Sequence, residues 1–133
     1  MSNDPTPRRR SIELPGFGHE NPIPVASRIG PFVYSGAITG KNLETRAFPD
    51  SLDEQVAIVF GRIRDLMAVA GGTVDDIIKL SVHLADPSDR SALNREWLAM
   101  FPDADSRPAR HVSGGELSGG ALVNVELVAI LPD

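Results

Sequence analysis

Between Ser51 and Gly72 the chain carries a pattern that cannot stand alone in water. Leu52, Val56, Val59, Phe60, Ile63, Leu66, Met67 and Ala70 recur at spacings of three and four. Those spacings gather them into one broad apolar stripe along an α-helix. Ser51, with Glu54 three residues later, has the form of a capping box at the helix start. Gly71-Gly72 supplies a residue pair that accepts the left-handed geometry of a helix stop. A stripe this wide has to be covered along its whole length, so the rest of the chain must supply a matching apolar face.

Two segments read as that face. In Ile77 to Leu84, Ile78, Leu80, Val82 and Leu84 alternate with Lys79, Ser81 and His83, which predicts a strand with one apolar side and His83 on its polar side. Ala121 to Leu131 is longer. Val123, Val125, Leu127, Ala129 and Leu131 are expected to face the helices, and Leu122, Asn124, Glu126, Val128 and Ile130 to face away. That second side is half polar, a composition suited to an oligomer interior or a site wall. Upstream, the runs Ile23 to Ile29 and Phe32 to Ile38 flank Gly30-Pro31 and predict a hairpin, followed by a polar loop over 39–50. Asp86-Pro87 reads as the cap and first turn of a second helix bearing Leu93, Trp97, Met100 and Phe101, closed by Pro102. A short strand is expected over Ala109 to Ser113, and a turn over Gly114 to Gly120.

The resulting order, β-β-α-β-α-β-β, predicts an α+β fold: a two-layer sandwich with one mixed sheet and both helices on one face. Residues 1–22, rich in Pro, Arg, Asn and Gly, read as a flexible N-terminal arm in which Arg8-Arg9-Arg10 is solvated. Residues 23–133 read as a single domain.

Composition then excludes several functions. The 133 residues carry a formal charge of −5, which argues against nucleic acid as a partner bound through bulk electrostatics. With no cysteine, disulfides, thiolate nucleophiles and Cys-based zinc sites are ruled out. No apolar run approaches the roughly 20 residues that span a bilayer, so no membrane partner is expected. The basic start MSNDPTPRRRS lacks the apolar stretch of a secretory signal, and the cytoplasm is the expected compartment. Gly36-Ala37-Ile38-Thr39-Gly40-Lys41-Asn42 resembles a phosphate loop but is one residue short, with Asn42 where Ser or Thr is needed. His19-Glu20 lacks the second histidine of a zinc-protease helix, and His19, His83 and His111 are widely separated, so no metal is expected. No nucleophile elbow surrounds Ser113 or Ser118.

The remaining candidate is Arg107-Pro108-Ala109-Arg110-His111, between a helix and a strand. An arginine there either forks onto a ligand carboxylate or forms a structural ion pair. The surrounding pattern resembles the RidA/YjgF family of enamine/imine deaminases. It is carried by Val33-Tyr34-Ser35-Gly36, by Val69 through Leu84, by Leu93-Asn94-Arg95-Glu96-Trp97 leading to Phe101, by Arg107-Pro108-Ala109-Arg110, and by Val123 to Ala129. Together they span roughly residues 25–131.

This resemblance implies a chorismate-mutase-like fold and a homotrimer with ligand clefts between subunits. It implies a hydrolase that converts reactive enamines or imines, such as 2-aminoacrylate, to 2-keto acids and ammonia without a cofactor. Arg110 falls on the arginine that binds the carboxylate of the small metabolite. Ser35, Gly36, Asn94 and the backbone around Val112 fall near the cleft. Asn124 falls where well-studied members hold the attacking water with a glutamate. Glu126 lies two residues on, about 7 Å along the same face. An amide orients a water but does not take its proton at neutral pH. Val112 replaces the family's cleft cysteine, and Asn21-Pro22-Ile23-Pro24 offers no counterpart to its N-terminal tyrosine. His111 replaces the usual Ser or Thr. Strand alternation puts it opposite Arg110, which favours a packing or interface role over one as base or ligand contact. Two principal functions remain: a deaminase of 2-imino acids, or a trimeric protein that binds small carboxylates without turnover. Endoribonuclease activity, the third, is opposed by the negative charge and the lack of a basic, aromatic-interleaved patch.

Overall fold

The computed structural model describes residues 7–16 and 21–132; His19-Glu20 and much of the N-terminal arm lie outside them. The first helix, α1, spans Leu52–Ala70. Ser51 Oγ accepts a hydrogen bond from the Glu54 amide at 3.3 Å, and Gly71, at φ 94°, ends the helix. The reciprocal capping box forms one turn further on. There Thr73 and Asp76 bracket the short 3-10 helix Val74–Asp76.

The described residues build one seven-stranded sheet: β1 (Arg9–Ile12), β2 (Ala26–Ile29), β3 (Phe32–Ser35), β4 (Ile38–Thr39), β5 (Ile77–Leu84), β6 (Ala109–Gly114) and β7 (Val123–Ile130). Strand order is β1-β2-β3-β7-β5-β6, with β4 continuing β3's place beside β7. Only β5 and β6 run parallel; α2 (Ser91–Met100) makes the crossover between them. The sheet is therefore mixed and the fold is α+β, as expected. The hairpin at Gly30-Pro31 forms, with Gly30 at φ 56° and Ile29 opposite Phe32.

The faces divide cleanly. Val33, Leu80, Val82, Leu84, Val123, Val125, Leu127 and Ala129 are buried against the stripe of α1 and against Leu93, Trp97 and Met100 of α2. The opposite face carries Phe32, Tyr34, Val128 and Ile130 at one end. At the other end stand Ser81, His83, Asn124, Glu126, His111 and Ser113. No helix among the described residues is long and apolar enough to cross a membrane.

The structure departs from expectation at four places. Residues 9–12, within the expected arm, form edge strand β1, because Ile12 reaches the core and Leu14 follows it there. The second apolar run breaks into β3 and β4. Ile78 does not share a face with Leu80: a bulge between Ile77 and Lys79 turns Ile77 inward and leaves Ile78 52% exposed. Asp86-Pro87 does not start α2. The Asp86 carboxylate accepts from the Ser88 amide at 3.0 Å and from its hydroxyl at 2.6 Å. That closes a separate turn, and α2 begins five residues after Asp86.

Two buried polar residues on α1 hold the loops to the core. Arg62 donates to the carbonyls of Thr39 and Lys41. Gln55 is fully buried. Its Nε2 donates to the carbonyls of Pro49 at 2.7 Å and Gly120 at 3.1 Å, and its Oε1 accepts from the Leu122 amide at 2.8 Å. One amide thus serves backbone groups from both loops that flank the start of α1. Gln55→Leu keeps the volume and strands those groups, each worth about 1–3 kcal/mol when buried without a partner. Urea unfolding of this variant is expected to show a loss of about 3 kcal/mol. An exposed control such as Glu44→Leu should stay within about 0.5 kcal/mol.

Candidate functional site

Arg110 sits on β6, the edge strand, and pairs in register with Leu80. Parallel pairing puts both side chains on the helix side of the sheet, so the guanidinium lies beneath α2. Its carbon stands 5.0 Å from the centre of the Trp97 ring, within the range of a cation–π contact. Trp97 is itself held edge-on by Phe101, with ring centres 4.9 Å apart. Arg110 Nη1 is buried and has no hydrogen-bond partner. Burial depresses the guanidinium below arginine's usual value, and the nearby positive charge of Arg90 depresses it further. Among the described residues the one ion pair is Arg95 with Asp53, on another face of α2. No carboxylate among the described residues pairs with Arg110.

Arg107, the other arginine of the segment, has a structural task. Its Nε donates to the Phe101 carbonyl at 2.8 Å and its Nη2 reaches that of Pro102 at 3.4 Å. It thereby satisfies carbonyls at the end of α2. Asn94 is exposed on α2, one turn after Arg90 and one turn before Trp97. The Val112 side chain packs against the core, so only its backbone, on the sheet edge, is available to a ligand.

The other expected site residues lie elsewhere. Asn124 is in register with His83, and His83 with Ser113, on the open face. Glu126, Ser81 and His111 form the neighbouring row. Asn124 and Glu126 therefore share a face, and His111 points away from Arg110, as alternation predicts. His83 Nε2 lies 3.2 Å from the Gly115 carbonyl and Nδ1 lies 3.0 Å from Ser113 Oγ. A carbonyl only accepts, so Nε2 carries the proton. In the neutral ring Nδ1 then accepts from the Ser113 hydroxyl. The Ser35 hydroxyl donates to the Gly36 carbonyl and accepts from the Leu127 amide, both at 2.8 Å. It closes the gap where β3 hands over to β4. Gly36 is exposed at that bend, its amide bonded to the Val25 carbonyl at 2.9 Å.

The candidates thus form two groups within one chain. Arg110, Asn94 and the Val112 backbone occupy the β6 edge under α2. Ser35, Gly36 and Asn124 occupy the β3–β7 side. β3 and β6 are separated by β7 and β5, three strand spacings or about 14 Å. Among the described residues no group of three or more His, Asp or Glu side chains is placed to hold a metal. Sequence reasoning passed over Arg90 and treated Trp97 as core. The available signal was spacing: Arg90, Asn94 and Trp97 are separated by four and three residues, which aligns them on one flank of α2.

Known proteins share this fold. The profile of the family described as Endoribonuclease L-PSP matches residues 24–131. A RutC family protein from Aquifex aeolicus is 29% identical over 127 residues, covering 91% of this chain and 98% of its own. The crystal structure of RidA from the Antarctic bacterium Psychrobacter superposes with a TM-score of 0.82 at 26% identity, covering 92% of this chain and 99% of that one. The Escherichia coli protein TdcF, crystallised with bound serine, superposes at 0.83 with 21% identity over the same shares. By the extent of the profile match and the shared fold, this chain belongs to the RidA family, whose profile carries the L-PSP endoribonuclease description.

Proposed function

We propose that this protein hydrolyses reactive small 2-imino acids to 2-keto acids and ammonia, with Arg110 binding the substrate carboxylate. The observation that carries this reading is the buried Nη1 of Arg110. A charged donor without a partner is costly, and a planar guanidinium stacked on Trp97 is shaped to receive a carboxylate through two parallel hydrogen bonds. A substrate carboxylate supplies the missing acceptor and charge. Asn94, one turn from both Trp97 and Arg90, offers an amide beside it.

The reaction asks little beyond positioning. Water oxygen bonds to the imine carbon as nitrogen gains one proton; the second water proton then passes from oxygen to nitrogen, the carbon–nitrogen bond breaks, and ammonia leaves as the carbonyl forms. Fixing the imine carbon against an ordered water lowers the barrier through proximity. Asn124 is the group we assign to hold that water. His83 and Glu126, in and beside its row, are the nearby groups able to take up its proton. An imine suits this inventory better than an enamine, whose tautomerisation needs a dedicated acid.

One small molecule does not touch both sides of a sheet. Arg110 and Asn124 therefore act together only if one subunit's β6 edge meets another subunit's open face. This supports an oligomer with clefts between subunits, and the family resemblance implies that it is a homotrimer. The exposed Phe32, Tyr34 and Ile130 on the open face supply apolar area suited to such a contact. Light scattering is expected to give three times the 14.3 kDa chain mass. Tyr34→Asp should shift the protein toward monomer, and a monomeric wild-type chain would remove the shared cleft.

The direct test is ammonia release from imino acids generated in place by an amino-acid oxidase. Hydrolysis should exceed the spontaneous rate. Arg110→Ala should lower kcat/KM by about a hundredfold, the value of a charge-assisted pair of about 3 kcal/mol. Asn124, an amide where relatives of this type use a carboxylate, favours one competing reading: a trimeric protein that binds small carboxylates without turnover. Unaccelerated hydrolysis with retained carboxylate binding would establish that reading instead.

A further inference from the structure

We propose that the ligand has two carboxylates, the second held by Arg90, and that the preferred substrate class is the 2-imino dicarboxylates. This rests on the carboxylate-binding part of the function proposed above.

Arg90 caps the start of α2, and the Asn94 amide donates to its carbonyl at 2.9 Å. Arg90, Asn94 and Trp97 thus run along one flank of the helix, beside the stripe formed by Leu93, Trp97 and Met100. Trp97 is the residue that covers Arg110, so this flank overlooks the Arg110 site. The stem of Arg90 is tethered. Its Nε donates to the Pro87 carbonyl at 2.9 Å, and the Pro87 ring lies so close to Gly114 that a Cβ there would come within 2.3 Å of it. Gly114 ends β6, the strand that carries Arg110. The turn bearing Arg90 is therefore pinned to the same strand. That leaves the Arg90 terminal nitrogens free of any protein carboxylate among the described residues.

Of the two guanidinium groups, Arg90 places its charge where it disfavours that of Arg110, which raises the free energy of the empty site. An anion that bridges them relieves that repulsion and gains two charge-assisted contacts. A monocarboxylate satisfies one guanidinium and leaves the other unmatched. A five-carbon dicarboxylate carries its second charge several ångströms from the first, on a flexible chain that lets it reach the outer arginine. Asn94, between them along the helix, is placed to meet the polar group at C2.

The test compares binding of 2-oxoglutarate and 2-oxopentanoate, five-carbon keto acids that differ in the second carboxylate, to the full chain by calorimetry. 2-Oxoglutarate is expected to bind about tenfold to a hundredfold more tightly, as one further charge-assisted contact allows. Arg90→Gln should bring it down toward the level of 2-oxopentanoate while changing the latter several-fold less. Arg90→Lys should retain part of the preference. Arg64→Gln, which removes the same charge from an exposed position on α1, should change neither, so equal losses in Arg64→Gln and Arg90→Gln would mean bulk electrostatics and overturn the proposal. Equal affinity for the two acids in the wild-type protein would overturn it too, while leaving Arg110 as a carboxylate site. Binding of neither acid would overturn the carboxylate reading and this inference together. A dicarboxylate preference without imine hydrolysis would uphold the inference and reject catalysis.

Discussion

Each residue of β7 is committed to one side of the sheet, and the architecture follows from that commitment. β7 lies in the middle, bonded to β3 and β4 on one edge and β5 on the other. Val123, Val125, Leu127 and Ala129 are buried to 1% exposure or less beneath the helices, while Asn124, Glu126, Val128 and Ile130 face away. A slip of one residue would exchange the two sets and place Glu126 in the core. The register is therefore pinned by the energetics of burial, and with it the row that contains Asn124, His83 and Ser113.

The same two-sidedness explains why Arg110 is distinctive. Its register partner is Leu80, which is completely buried, so alternation directs a guanidinium to the helix side of the sheet. Arg28 of β2, in register with Val33, also reaches that side, but its Nη1 donates to the Ala70 carbonyl at 3.1 Å. The position of Arg110 is tolerable because β6 is an edge strand and because Trp97 presents a π-face to the cation. It is not fully compensated, since one donor is left unmatched. Functional groups are often held in such incompletely satisfied states, with the stability supplied by the surrounding packing.

Much of this was legible from residue periodicity. The stripe of α1, its serine cap and glycine stop, the eight-residue extent of β5 and the two-sided character of β7 all follow from spacings and turn chemistry. What periodicity concealed was polar and local. Gln55 and Arg62 lie beside the apolar stripe with no mark of burial in the sequence, yet loop carbonyls folding back over α1 bury them. Alternation alone assigned Ile78 to the core, because a bulge leaves no mark on a run of apolar residues. Asp86-Pro87 has the composition of a helix start, but Ser88 competes for the carboxylate and closes a turn first. For the site, alternation separated His111 from Arg110 and paired Asn124 with Glu126. The unmatched donor and the approach of Arg90 depend on tertiary packing and had no sequence signal beyond the spacing of Arg90, Asn94 and Trp97.

The charge inventory ties the two halves of the proposed cleft together. A glutamate at position 124, as the family resemblance would have it, adds a negative charge where a substrate is to be hydrolysed. Opposite one arginine, that charge is balanced while the site is empty, and a bound monocarboxylate leaves a single negative charge over. Opposite a dicarboxylate it becomes a second source of repulsion, since like charges in a poorly solvated cleft disfavour binding far more than they do in water. Here the position holds a neutral amide, and a second arginine stands near the first. Together, an amide at position 124 and the arginines Arg90 and Arg110 suit the proposed ligand, which carries one more negative charge than a simple imino acid. In the proposed function the neutral Asn124 is then part of a charge balance, in which proton uptake passes to groups outside the carboxylate subsite and Arg90 and Arg110 do the selecting.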